Sequence, residues 1–141
     1  MVILDSDHMS LLEWTDSPPA RNLEARLDQM PAADIATTVI NYEEQVRGWM
    51  AMLAKASKLK DQIEIYRRLR NQLRIYCGLT ILVFDENAAV EFARLRKDLP
   101  RLGTMDLKIA AIALSQDATL LSRNRRDFGK IAGLKLEDWT T

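Results

Sequence analysis

The sequence predicts an α/β fold, with a central, mostly parallel sheet of four to five strands flanked by helices on both faces. Three observations carry this. The strand candidates are short, continuous apolar runs, as in sheets covered on both sides. They alternate along the chain with helical patterns of apolar spacing. Several are rich in β-branched residues and bounded by turn formers. With 141 residues, 48% hydrophobic and 28% charged, the chain has enough apolar material for a single domain over 1–141, which argues against disorder.

In order, residues 1–4 read as a buried strand ending at Asp5. Asp7 or Ser6 then caps a short helix reaching Trp14. Residues 21–30 read as a helix, with Leu23 and Leu27 four apart. Residues 34–40 contain a second strand. Residues 41–53 follow as a helix with Tyr42, Val46, Trp49, Met50 and Leu53 on one face. A long basic helix carries Leu59, Ile63, Tyr66, Leu69 and Leu73 at helical spacing. Residues 80–84 form a third strand, and 86–97 a helix with Asp85 or Asn87 near its start. Residues 106–115 form an Ala-rich helix, 118–122 a fourth strand and 134–136 a fifth.

The single cysteine, Cys77, excludes an intrachain disulfide and suits a reducing cytoplasm. No apolar run approaches the ~18–20 residues of a membrane span, and the first residues lack the basic start of a signal peptide. These features predict a cytoplasmic protein with no membrane contact. Net charge is zero but uneven: residues 1–44 hold nine acids against two bases, and residues 45–75 hold eight bases against two acids. A local basic field keeps a nucleic-acid partner open despite the neutral total.

In parallel sheets, ligands sit beyond the carboxyl ends of the strands. Asp5 follows the first strand and Glu44 comes soon after the second. Asp106 starts the Ala-rich helix, and Asn124 and Asp127 follow the fourth strand. If these ends meet, several carboxylates converge, and like charges in one pocket call for a cation. Oxygen ligands without His or Cys favour Mg²⁺ or Mn²⁺ over Zn²⁺. Each residue also has an ordinary structural reading. Asp5 and Asp7 are suited to capping a helix, Asp106 to facing a helix dipole, and Asp127 to stabilising a turn. Glu44 lies almost opposite the apolar face of its helix, which makes it a solvent-exposed residue. Alternatively, the small stripe of Gly48 and Ala51 lets another backbone approach and turns Glu44 into a crevice.

The pattern these residues make is similar to PIN-domain ribonucleases, specifically the VapC toxins of bacterial type II toxin–antitoxin modules. Ile3-Leu4-Asp5-Ser6-Asp7 resembles that family's first motif. Asn41-Tyr42-Glu43-Glu44-Gln45-Val46-Arg47-Gly48 resembles the second, whose Glu-to-Gly spacing selects Glu44 over Glu43. Gly103-Thr104-Met105-Asp106 resembles the third, and Leu121-Ser122-Arg123-Asn124-Arg125-Arg126-Asp127-Phe128 the C-terminal segment. The resemblance spans the chain. It implies a PIN fold and a Mg²⁺-dependent endoribonuclease (Mn²⁺ being the alternative ion), with Asp5, Glu44 and Asp106 as core acids and the metal on Asp5 and Asp106. Asn124 stands where many relatives have a fourth acid. Arg123, Arg125, Arg126 and Lys108 would meet the RNA, expected to be tRNA or another structured RNA. The implied partners are a VapB-type antitoxin and a second copy of the chain, forming a homodimer.

Several features stay double-valued. His8, the only histidine, rules out a two-histidine nuclease mechanism and reads as an exposed residue at a helix start. The basic helix with Arg67, Arg68, Arg70 and Arg74 is either an extension of the RNA track or a solvated face. Trp14, Trp49, Met50, Met52 and Leu53 read mostly as core, with some lining an antitoxin groove. Asp5-x-Asp7 after a strand is also similar to haloacid-dehalogenase-type phosphatases, in which Asp5 would be the nucleophile and Glu44 idle. A non-catalytic PIN-like scaffold that binds RNA or an antitoxin is the other alternative.

Overall fold

The first strand is so short that one residue decides which face of the sheet each side chain meets. The computed structural model describes residues 1–13 and 16–141. In chain order its elements are β1 (Val2–Leu4), α1 (Ser6–Leu11), α2 (Pro18–Leu27), a 3-10 turn (Ala32–Asp34), β2 (Ile35–Thr38), α3 (Val39–Lys55), α4 (Leu59–Cys77), β3 (Thr80–Leu82), α5 (Glu86–Asp98), α6 (Thr104–Ser115), β4 (Thr119–Leu121), α7 (Arg125–Phe128) and β5 (Lys135–Glu137). The five strands lie in the order β3-β2-β1-β4-β5, and every neighbouring pair is parallel.

Period-two alternation places Ile3, Ala36 and Leu120 on one face, where α5 and α6 cover them. Val2, Leu4 and Leu121 point to the other face, against Met9 of α1, Leu23 of α2, Tyr76 of α4 and Trp139. Both faces are therefore dry, as continuous apolar strands require. In α6, Leu107 and Ile109 through Ala113 are all buried, so the middle of this helix is enclosed all round and shares the core on that face of the sheet with α5. Among the described residues, no helix is long and apolar enough to cross a membrane.

The element boundaries differ from the sequence expectation where side-chain caps decide them. The second strand stops at Thr38 because its hydroxyl accepts the Asn41 N–H (3.1 Å) and begins α3. Val39 and Ile40, though β-branched, are already helical. Ser17 accepts the Ala20 N–H, which starts α2 at Pro18, where the missing proline N–H removes no helical bond. Residues 125–128, expected as a turn, form α7 behind an Asn124 cap. The first helix ends at Leu11, and Trp14 lies outside the described residues.

The outer layer also departs from expectation. Met50 and Met52 are exposed (42% and 50%) rather than core, because α3 and α4 pair as a hairpin and leave one side uncovered. Gly48 is exposed, and a Cβ there would meet nothing within 4 Å. No close backbone approach within the described chain explains that glycine.

Replacing Thr38 with Val should lower the free energy of unfolding by about 1–2 kcal/mol, because a buried amide at the start of α3 loses its acceptor. The urea midpoint should fall while the slope stays the same. An unchanged midpoint would show that another group starts the helix.

Candidate active site

Between β1 and β4 the chain order reverses, since β1 is followed by β2 on one side while β4 arrives on the other. This is the switch point at which open parallel sheets leave a crevice. Asp5 lies at its edge, 7% exposed, with its N–H donating to the Leu121 carbonyl (3.0 Å). It occupies the N-cap position of α1 but makes no side-chain cap bond. Instead Asn41 Nδ2 donates to Oδ1 (2.9 Å) and Ser122 Oγ to Oδ2 (2.7 Å). The capping reading therefore fails for Asp5: both carboxylate oxygens are held by residues from neighbouring strand ends.

Asn41, fully buried, is the organiser that sequence reasoning passes over. Its Oδ1 accepts from Thr38 Oγ1 (2.7 Å) and its Nδ2 also donates to Ser6 Oγ (3.0 Å). Ser6 in turn donates to Glu44 Oε1 (2.5 Å). Glu44 thus faces the crevice rather than solvent, held by the residue after Asp5. Its neighbour Glu43 pairs outward with Arg47 (2.6 Å). Gln45 lies behind them: its Oε1 accepts from Tyr76 Oη (2.5 Å) and Gln72 Nε2 (2.8 Å), and its Nε2 donates to Ser10 Oγ (3.1 Å). The Thr-x-x-Asn spacing is the sequence signal that could have singled out Asn41, as the helical residue that a Thr38 cap faces.

Asp106 sits in the first turn of α6. A first-turn acid ordinarily gains from the amide ends of its helix. Here the shift runs the other way: burial, then the charges of Asp5, Glu44 and Asp127, push the Asp106 carboxyl up to about 6. Asp127 is a further acid whose charge reaches Asp106. Asn124 caps α7, its Oδ1 accepting the Asp127 N–H (3.3 Å) and its Nδ2 donating to Asp127 Oδ2 (3.2 Å). Arg123, Arg125 and Arg126 are exposed around this turn. Lys108 is half-buried, with its amino group 5.7 Å from the centre of the Phe84 ring.

His8 is not exposed as its position suggested; it is fully buried. Its Nε2 accepts the Trp139 N–H (3.2 Å), which leaves the proton on Nδ1 to be donated to Asp7 Oδ1 (2.7 Å). Asp7 Oδ2 accepts from the Arg123 N–H (2.9 Å). Burial alone would raise the Asp7 carboxyl, but the His8 and Arg123 hydrogen bonds outweigh it and hold Asp7 below its ordinary range. Asp5, two residues earlier, is raised, chiefly by burial, with Asp7 adding to it.

Among the described residues, no three His, Cys, Asp or Glu side chains stand close enough to form a ready-made ligand set. The acids feel one another's charge without being in contact. Still, the donor chemistry fits a hard divalent cation: Asp5, Glu44, Asp106 and Asp127 offer only oxygen, and three of them raise the fourth. Such an ion would sit on Asp5 and Asp106 and relieve that repulsion.

In the presence of a chelator, this repulsion makes stability depend on pH. The folded Asp106 carboxyl titrates at about 6 against an ordinary 3.8, so between these values the folded state binds more protons than the unfolded state. Stability should fall as pH rises through that window. Asp106→Asn should flatten the drop and melt about 2–5 °C above the wild type at pH 8, with the gap closing towards pH 4. Parallel melting curves for the two proteins would remove the repulsion from the account.

A sequence model of the PIN domain matches residues 2–134. The tRNA(fMet)-specific endonuclease VapC of Salmonella typhimurium is 35% identical over 65 residues, covering 43% of this chain and 49% of that one. Ribonuclease VapC2 of Haemophilus influenzae is 34% identical over 65 residues, with coverage of 43% and 49%. The match thus spans about half the length of these curated relatives. Among solved structures, VapBC-1 from nontypeable Haemophilus influenzae superposes with a TM-score of 0.77 at 22% identity over 100% of both chains. VapBC2 from Rickettsia felis, bound to a DNA fragment from its promoter, superposes with a TM-score of 0.72 at 25% identity over 99% of both chains. With the matched pattern covering nearly all of the sequence and the acids gathered at the strand ends, the chain belongs to the PIN-domain family.

Proposed function

We propose that the chain is the toxin of a type II toxin–antitoxin pair, a divalent-metal-dependent endoribonuclease of the VapC kind. The observation that carries this reading is the arrangement of acids around the β1–β4 switch point: Asp5 held by Asn41 and Ser122, Glu44 held by Ser6, and Asp106 within reach of both charges, with no cation paired to any of the three among the described residues. The relatives named as VapC ribonucleases support it, as does the fold likeness to VapBC toxin–antitoxin structures. The ion proposed is Mg²⁺, with Mn²⁺ as the alternative, and the substrate is tRNA or another structured RNA.

The bound cation supplies charge neutralisation at the phosphoryl oxygens and a more acidic water. The chain's own groups do the rest. Asp5, fixed by Asn41 and Ser122, and Asp106 present the anchoring carboxylates. Glu44, held through Oε1 by Ser6, orients the attacking water and takes its proton at Oε2. Water oxygen would bond to phosphorus as the bond to the 3′ oxygen breaks; the departing 3′ oxygen would take a proton from solvent and Glu44 would return its proton to solvent, leaving a 3′-hydroxyl and a 5′-phosphate. Asn124 acts as a positioning residue for Asp127. Arg123, Arg125 and Arg126 meet the phosphates beside the pocket, with Lys108 at its flank. The uncovered apolar side chains Met50 and Met52 of α3 and Ile63 of α4 offer surface for a VapB-type antitoxin and for a second copy of the chain.

Purified, antitoxin-free protein should cut tRNA into discrete fragments with 5′-phosphates in Mg²⁺ or Mn²⁺, but not in a chelator. Asp5→Asn and Asp106→Asn should each reduce the rate by at least about 100-fold while remaining folded. If the folded wild type binds tRNA and cuts it with no metal supplied, the catalytic assignment is wrong. If it binds but never cuts, the chain is a scaffold whose acids no longer act. Replacing Arg123, Arg125 and Arg126 together with Gln should lower the salt slope of tRNA binding by about 2; an unchanged slope would move the RNA path away from α7.

A further inference from the structure

The run Arg67-Arg68-Leu69-Arg70-Asn71-Gln72-Leu73-Arg74 of α4 has four arginines and no acid. At 3.6 residues per turn, Arg67, Arg70 and Arg74 fall within an arc of roughly 60°. Ile65, Gln72 and Tyr76, the buried residues of the helix, lie on the opposite side. The three arginines are exposed. Together with Arg68, Glu13 and Glu64 they line an open cleft of about 360 Å³. Its two acids already have cations: Glu64 pairs with Arg67 (3.0 Å) and Glu13 with Arg68 (3.9 Å). Among the described residues, no acid lies within ion-pair distance of Arg70 or Arg74. The cleft therefore keeps a surplus of positive charge.

Two further observations connect this face to the acid pocket. Gln72 and Tyr76 both donate to Gln45, the residue after Glu44, so the inner side of α4 is fixed to the helix that carries a site acid. On its other flank Arg70 also lines a groove with Tyr66, Leu69 and Leu73, where Tyr66 is 58% exposed. A polyanion approaching the acid-rich first 44 residues needs compensating cations, and residues 45–75 hold the chain's large basic surplus. Guanidinium groups one helical turn apart, beside an exposed aromatic ring, suit the backbone and bases of RNA.

We propose that the Arg67–Arg70–Arg74 face of α4 is a second phosphate-binding surface, which holds the RNA substrate at a distance from the scissile bond while Tyr66 offers a stacking platform. This rests on the ribonuclease reading above. The surface adds affinity and selects longer or folded RNA over short strands; it takes no part in bond cleavage.

The test compares the wild type with an Arg70→Gln/Arg74→Gln variant of the full chain, using tRNA as the probe. In a chelator, where nothing is cut, the slope of log affinity against log salt should fall by about 1.5 in magnitude. In metal, KM should rise several-fold while kcat is maintained. An Arg70→Lys/Arg74→Lys variant, which keeps the charge, should restore most of the slope. If the folded Gln variant shows an unchanged slope and KM, the surface proposal is overturned while cleavage by the wild type leaves the ribonuclease reading standing. A reduced slope in a protein that never cuts supports the surface and counts against the nuclease. An unchanged slope with lost affinity for polyglutamate assigns the face to an acidic protein partner and overturns the RNA assignment.

Discussion

Covering both faces of β1 forces whatever follows that strand out of water, and here it is a carboxylate. A buried charge is tolerated only where hydrogen bonds replace its hydration. Asp5 has two: Asn41, brought in by the start of α3 after β2, and Ser122, at the end of β4. These donors come from the strands on either side of β1, so one side chain links three strand ends. The compensation is incomplete, and burial still raises the carboxyl. The remaining field is felt by Asp106 and by Tyr76, whose phenol is held well above its ordinary range by burial and then by Glu44, Asp5 and Glu13.

Asp5 and Asp7 show how two acids in one short motif are separated into different tasks. Asp7 is lowered because His8 and the Arg123 amide bond it, which suits a permanently ionised structural anion. It holds the turn that carries Arg123, while the far nitrogen of His8 holds the backbone at Trp139. Asp5 is raised, with its nearest partners neutral, which suits a group whose charge is completed by a cation. Environments that push neighbouring carboxylates in opposite directions let one local motif supply both a structural support and a candidate ligand for a cation.

The layers of this fold were legible because apolar runs and helical spacing are local. The five strands fall where the runs are, and the buried Ala-rich helix reads directly from its composition. The boundaries were less legible. Thr38 and Ser17 set them through single side-chain bonds that override the β-branched or proline character of the following residues. Within the site, the acids could be placed by their position after strands, whereas their supports could not. Asn41 looks like any helix-start amide, and His8 like any polar residue in a first turn; their burial depends on Asp5 being 36 residues away in one case and on the C-terminal segment in the other. Gly48 misled for the reverse reason, since its small size suggested a close neighbour and the structure has open space there.

The same distinction bears on how a neutral protein can engage a polyanion. Net charge sums over groups that already neutralise one another, such as Glu43 with Arg47 and Glu64 with Arg67, and these contribute little at a distance. What a phosphate backbone would meet is the remainder: an acid pocket whose charges have no paired cation among the described residues, the arginines of the turn after β4, and Arg70 and Arg74 on the outer side of α4. Gln45 bonds α3 to α4 beneath Glu44, so part of this positive remainder is fixed relative to the acids rather than carried on a loose loop. Opposite fields held on a rigid frame can draw a backbone across the pocket while its acids remain able to hold a cation, and a uniformly basic surface would give up that second capacity.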